Sequence, residues 1–259
     1  YWYGIIIAAG FLLAAAFCSW RAKDFGIKKD DFLDMLLWGL PIGIICARIY
    51  YVIFYLSLYR DGQGKFQWSE AIAIWDGGLA IYGGVIGGIL TCLVVCKHKK
   101  LPFLAMADLS VMGLFIGQIM GRWGNFVNQE AYGGACDMPW RMGLIVDGQL
   151  ITVHPTFLYE SLWNLMGLCL LFFVVRRVRR FDGEMFLCYL GWYGLGRFWI
   201  EGLRTDSLYL FGTGIRVSQL VALVSVLAAV VLLVRMLVFV KPNPQKMWVH
   251  RATENNQAK

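Results

Sequence analysis

The run Gly121-Arg122-Trp123-Gly124-Asn125-Phe126-Val127-Asn128-Gln129-Glu130-Ala131-Tyr132-Gly133 places a guanidinium, two side-chain amides and a carboxylate directly after an apolar, glycine-spaced segment. Such groups are expensive to desolvate at the end of a membrane span, so each needs a partner or a task. A planar guanidinium beside amides and closely turned backbone suits an anionic oxygen group, and in a bilayer the phosphodiester of a lipid head group is the evident one. Arg122, Asn125, Asn128 and Glu130 therefore outline a phosphate-handling site. The competing reading of Arg122 is an arginine that snorkels from a helix end to water.

Other residues could serve the same chemistry. Arg197 and Glu201 lie four apart and share a helix face, with Gly194 and Gly196 leaving room beside the arginine; Arg204 extends the stripe by a turn. A ligand-facing arginine with an orienting glutamate and an ion pair that only staples helices are both open. In His154-Pro155-Thr156-Phe157-Leu158-Tyr159-Glu160, Pro155 suits a helix start, and Glu160 falls within the membrane and needs a donor, for which an arginine of another helix is the natural choice. His154 is readable as a base or as an interfacial cap. Tyr82 follows Trp75-Asp76-Gly77-Gly78 among small residues, where a phenol could reach a ligand, and Asp76 is expected to cap the helix that follows. Tyr3 fits an aromatic belt or a ligand contact. Arg48 is expected to pair with a membrane carboxylate, and Asp34 and Asp108 to act as caps.

These residues must be positioned by membrane helices. The chain has 259 residues, 59% of them hydrophobic and only 16% charged, which excludes an ordinary soluble domain. A span needs roughly 20 apolar residues, and seven such runs are legible, at 1–20, 32–58, 79–96, 104–121, 155–175, 184–202 and 215–240. The expectation is an all-α, polytopic membrane protein of about seven transmembrane helices. The net charge of +7 does not point to nucleic acid, because its placement follows the loops. Fifteen Lys and Arg fall on one side, in the groups Arg21 to Lys29, Lys97 to Lys100, Arg176 to Arg180 and Lys241 to Lys259. Five fall on the other: Arg60, Lys65, Arg122, Arg141 and Arg204. The positive-inside rule makes the first side cytoplasmic, so the N-terminus is outside, the C-terminus inside, and the Arg122 run faces outward.

One domain is expected over 1–259, with 59–77 and 122–154 as outward-facing loops and 241–259 as a solvated cytoplasmic tail. The chain starts at Tyr1 without a Met, and its native N-terminus is expected to be missing. Seven cysteines without a CxxC pair support neither a disulfide framework nor a zinc site. Glycines at 83/87, 84/88 and 113/117/121 are spaced for close helix approach. A secondary transporter would show internal repeats, and an intramembrane protease a nucleophile–base or paired-aspartate motif; neither is found. A purely structural protein would not explain two arginines with carboxylates near one leaflet.

The Gly121–Gly133 run resembles the pattern G-R-x-G-N-F-x-N-x-E-x-x-G of the bacterial phosphatidylglycerol–prolipoprotein diacylglyceryl transferase family, with all eight fixed positions present. The Trp2-Tyr3-Gly4 start, Trp75-Asp76-Gly77-Gly78, His154-Pro155 to Glu160 and Arg197 to Arg204 are similar landmarks in the same order. The resemblance implies transfer of the diacylglyceryl unit of phosphatidylglycerol to the lipobox cysteine thiol of a preprolipoprotein, releasing glycerol phosphate, at the outer leaflet of the cytoplasmic membrane. No metal or other cofactor is expected, because the leaving group is already a phosphate and the arginines are permanent cations; no nucleic acid is expected and no oligomer is indicated. Arg122 and Arg197 match the essential arginines, and Tyr3, Asn125, Asn128, Glu130 and Gly133 match supporting positions. Glu160, Glu201, His154 and Arg204 are expected beside the substrate. Many members have histidine where this chain has Tyr82. A neutral phenol is a poor base, so Tyr82 either hydrogen-bonds lipid or is acidified by a nearby arginine. Glu130 could hold Arg122 or accept the thiol proton.

Overall fold

The computed structural model describes residues 2–62, 64–146, 148–205, 209 and 214–257, so the last two residues of the expected tail lie outside the described residues. In chain order the helices are α1 (Trp2–Arg21), α2 (Lys29–Phe54), α3 (Trp68–Ile72), α4 (Ile81–Lys99) and α5 (Phe103–Asn128). A two-stranded antiparallel hairpin follows, β1 (Met142–Val146) and β2 (Gln149–Val153). Next, α6 (Thr156–Cys169) passes through a π-helical stretch into α7 (Arg176–Val178). The chain continues with α8 (Glu184–Glu201), α9 (Val217–Val234) and α10 (Trp248–Gln257).

Among the described residues, six helical segments are long and apolar enough to cross a membrane. The protein is an all-α polytopic membrane protein. The sixth expected run, 184–202, is the helix α8, which is not among those six; its 18 residues include Glu184, Arg197 and Glu201. Length and apolar composition alone do not single it out, because it carries part of the polar site. The chain forms two compact units, residues 27–106 and residues 1–26 with 107–259.

In the 27–106 unit, α2 and α4 pack through glycine. A Cβ at Gly83 would lie 2.4 Å from the Cys46 carbonyl oxygen, and one at Gly87 2.8 Å from the Cys46 Cβ, whereas Gly88 meets open space. Of the two expected stripes, Gly83/Gly87 is therefore the packing one. Among the described residues Arg48 pairs with no carboxylate. It donates to the carbonyls of Glu70, Ala71, Gly77 and Gly78 at 2.5–3.0 Å, which ties the 70–78 segment to α2. A guanidinium has five donors, and consecutive carbonyls of a turning chain satisfy it as well as an anion does. Asp34 is not a cap either: with Asp31 it pairs with Lys99, at 2.5 and 2.7 Å. Asp76 lies in a 3-10 turn, and α4 starts after Ala80 without a side-chain cap.

In the other unit, α6 and α8 are joined by a reciprocal tryptophan pair. The rings of Trp163 and Trp192 stack at 4.7 Å, and each indole N–H donates to the other's backbone carbonyl at 2.9 Å. Gly167 and Gly196 make room for it: a Cβ at either would lie 2.5 or 2.3 Å from the facing indole. Asp108, fully buried on α5, caps α8 from outside that helix by accepting from the Gly183 and Phe186 N–H groups, both at 2.8 Å. Its charge is met by Arg179 at 3.5 Å. Burial pulls the Arg179 pKa below its ordinary value, while Asp108, Asp182 and Asp24 push it back up. The tail is not wholly solvated. Trp248 at the start of α10 bonds Asp182 through its backbone N–H (2.9 Å) and the Gly26 carbonyl through its indole (3.0 Å).

Asp108→Ala leaves two backbone donors without their acceptor and takes the buried carboxylate away from Arg179, which keeps its bond to the Asp24 carbonyl. The expected loss is about 3 kcal/mol, read as a lowered Tm in detergent, with Asp108→Asn losing less because its amide oxygen still accepts. An unchanged Tm for Asp108→Ala would contradict the cap.

Candidate active site

The site is built on α5, α6 and α8. Helix α5 does not stop at Gly121; it continues to Asn128, so the outward segment expected at 122–154 begins inside a helix. No proline interrupts that stretch, and glycine is tolerated in membrane helices. Arg122 is therefore held on regular helix, on the same element as Asn125 and Asn128.

Glu160, in the first turns of α6, collects the cations. Its Oε2 meets Arg122 Nη2 at 2.5 Å, and its Oε1 meets Arg197 Nη1 at 3.0 Å and Arg204 Nη1 at 3.7 Å. Arg197 also pairs with Glu201 at 2.5 Å through Nη2. The two carboxylates are 4% and 2% exposed, the arginines 12–18%. A buried carboxylate requires nearby positive charge, and here Arg122, Arg197 and Arg204 all face Glu160, with Glu201 paired to Arg197. Arg216, before α9, adds a fourth guanidinium by donating to the Glu201 carbonyl. The sequence signal for it was weak, an arginine at a span edge like many others.

Arg122 spends one nitrogen on Glu160; its Nε and Nη1 have no partner among the described residues. The cluster thus presents unspent guanidinium donors on Arg122, which suit an anionic oxygen group.

The rest of the run shapes the end of α5. Gln129 and Ala131 take left-handed backbone angles (φ 53° and 58°), and the Asn125 and Asn128 amides both donate to Glu130 Oε1, at 3.3 and 3.4 Å. Glu130 is held by those two amides, whereas the partner of Arg122 is Glu160. Gly133 N–H donates to the His154 carbonyl and Gly134 N–H to the Leu203 carbonyl, both at 3.0 Å, bringing Gly133 opposite Arg204. A Cβ at Gly133 would lie 2.7 Å from the His154 Cβ. It would also lie 3.0 Å from the carbonyl oxygen of Leu203, the residue before Arg204.

Gly124 serves Tyr3 in the same way, since a Cβ at Gly124 would lie 2.9 Å from the Tyr3 ring. His154 Nδ1 is 3.2 Å from the Tyr159 hydroxyl, which accepts from the Trp140 indole at 2.8 Å. Tyr82 belongs to the 27–106 unit, where its half-exposed ring lies 6.3 Å from that of Tyr50.

The family model of prolipoprotein diacylglyceryl transferase matches residues 1–235. A phosphatidylglycerol–prolipoprotein diacylglyceryl transferase of Lactobacillus delbrueckii subsp. bulgaricus is 47% identical over 253 residues, covering 93% of this chain and 88% of the relative. Those of Lysinibacillus sphaericus (43% over 251 residues, 93% and 89% covered) and Clostridioides difficile (44% over 230 residues, 89% and 88% covered) are similar. The chain belongs to the prolipoprotein diacylglyceryl transferase family.

Proposed function

We propose that this membrane transferase uses the Arg122–Arg197–Arg204 cluster to hold the phosphate of phosphatidylglycerol while the diacylglyceryl unit moves to a prolipoprotein cysteine. The observation that carries the reading is the convergence of three arginines on Glu160, with Arg122 donors left unspent among the described residues. The cysteine sulfur attacks the glyceryl carbon that bears the phosphate. A C–S thioether forms as the C–O bond breaks, and the electron pair leaves on glycerol phosphate. Arginines aimed at that phosphate stabilise the charge that grows on it, and they favour the thiolate of an approaching thiol. The leaving group is already a phosphate and the cations are permanent, so the residues alone can supply the electrostatics.

The remaining residues take supporting roles in this proposal. Glu201 orients Arg197. Asn125 and Asn128 fix the glycerol hydroxyls or the phosphate, and Tyr3 lines the lipid. Gly133 keeps Arg204 in place. Glu130 and His154 are the carboxylate and imidazole able to take the thiol proton, and Tyr82 positions lipid through its hydroxyl. The site is placed at the outer leaflet of the bacterial cytoplasmic membrane, with 59–77 and 122–154 outside, 241–259 inside and the whole chain acting as one transferase domain.

Purified protein, phosphatidylglycerol and a lipobox peptide should yield a diacylglyceryl mass gain on the peptide cysteine. Arg122→Ala and Arg197→Ala should each cut turnover by about 100- to 1,000-fold while still inserting. Lysine at either position should rescue little, because a point charge cannot reproduce the planar fork. Wild-type turnover in either alanine variant would remove the clamp role.

Tyr82→Phe should keep measurable transfer, and Tyr82→His should be tolerated. Complete loss in a folded Tyr82→Phe protein at saturating phosphatidylglycerol would instead make the phenol obligatory in proton transfer.

Topology is checked separately. In a background without native cysteines, single cysteines within 59–70 should label from outside the cell and those at 97–100 should not. The reverse pattern would overturn the outward placement.

A further inference from the structure

Strand β1 presents one edge that no described residue pairs. Among the described residues it pairs with β2 alone. The other edge of β2 is taken by Ala135 and Cys136, through the Ala135–Val153 bridge and a 3.0 Å bond from the Cys136 N–H to the Thr152 carbonyl. That carbonyl therefore points away from β1. In an antiparallel pair, opposed residues alternate between exchanging hydrogen bonds and turning both backbone groups outward. Gly143 stands opposite Thr152, so its N–H and C=O face away from β2. Ile145, two residues on, does the same.

The exposed side chains follow the same register. Met142, Leu144 and Val153 form the core face of the hairpin with Tyr132 and Phe157. Ile145 and its cross-strand partner Leu150 point the other way and are 70% and 74% exposed. An unpaired strand edge is a template for an added strand, and natural edges are usually blunted by Lys, Pro or a bulge. The stretch Met142-Gly143-Leu144-Ile145-Val146 has none of these.

The hairpin is tied by backbone bonds to the arginine cluster. The 133–136 segment bonds β2 on one side and Leu203, next to Arg204, on the other. A strand added on β1 would stand about four strand spacings from Arg204, roughly 19 Å, which about six extended residues cover. We propose that this edge of β1, at Gly143 and Ile145, receives the polypeptide substrate as an added strand, through the extended residues that follow its acceptor cysteine. Residues before the cysteine belong to an apolar signal segment and suit the membrane, whereas those after it are free to extend. Main-chain bonds give such docking affinity without requiring one sequence, which fits an enzyme acting on many precursors. The inference rests on the transferase reading above.

The test compares two lipobox peptides, one ending just after the cysteine and one continuing for ten residues. With wild-type protein the longer peptide should have a KM lower by about tenfold, the effect of one or two net hydrogen bonds. Ile145→Pro deletes an N–H that faces away from β2, a position where an edge strand tolerates proline. It should erase the advantage of the longer peptide while leaving kcat and the KM for phosphatidylglycerol unchanged. Longer peptides N-methylated on alternate backbone amides should lose the same advantage against unaltered protein.

Equal KM values for both peptides on wild-type protein would overturn the proposal. So would a change in Ile145→Pro confined to the KM for phosphatidylglycerol, which would mark the hairpin as a lipid contact. No transfer to either peptide would overturn the transferase reading itself, and this inference with it.

Discussion

A carboxylate buried among membrane helices can stay ionised only if positive charge is brought to it, and Glu160 is where this chain meets that constraint. One side chain, 4% exposed, draws Arg122 from α5, Arg197 from α8 and Arg204 from the turn after α8. The carboxylate needs the guanidiniums to offset its desolvation, and the guanidiniums need a fixed anion to be held at one point. Removing any member leaves the others buried and under-compensated. Arg122 keeps guanidinium donors that no described residue takes, and the proposed function assigns them to the lipid phosphate. The residues that structural necessity brings together are thus the ones proposed to bind substrate.

Helix packing sets the distances that make this possible. Glu160 lies one turn before Trp163, and Arg197 directly follows Gly196, so the Trp163–Trp192 stack fixes α6 against α8 beside the ion pair. Asp108 holds the opposite end of α8 through its first N–H groups. The Gly133–His154 and Gly134–Leu203 bonds hold Arg204 from the loop side. Glycines at 133, 167 and 196 appear where a Cβ would strike a neighbour, so each marks a close approach that the site geometry depends on.

Much of this was legible in the sequence because it rests on cost. Buried charge and long apolar runs are conspicuous, so Arg122, Arg197, Glu160 and the membrane helices could be named before any coordinates. The convergence of three arginines on one glutamate could not, since 38 residues separate Glu160 from Arg122 and 37 from Arg197 and no periodicity links them. Local rules misled where a cheaper partner existed. Arg48 took carbonyls instead of a carboxylate, Asp34 took Lys99 instead of a helix end, and α5 ran past Gly121 because nothing in Arg122–Asn128 forces a stop. The hairpin was missed because each strand has only five residues and lies between longer helical patterns. Arg216 was missed because its bond goes to a backbone carbonyl, which leaves no pattern in the sequence.

The most direct measurement of the central claim is the kcat/KM for phosphatidylglycerol of Glu160→Gln, assayed on folded protein below its melting temperature. Glutamine keeps the shape and one acceptor but removes the charge that gathers the arginines. If Glu160 positions them for the lipid phosphate, transfer should fall by about 100-fold, the usual cost of displacing a binding group by an ångström. Turnover equal to wild type would show that the arginines find the phosphate without it, and would contradict the account.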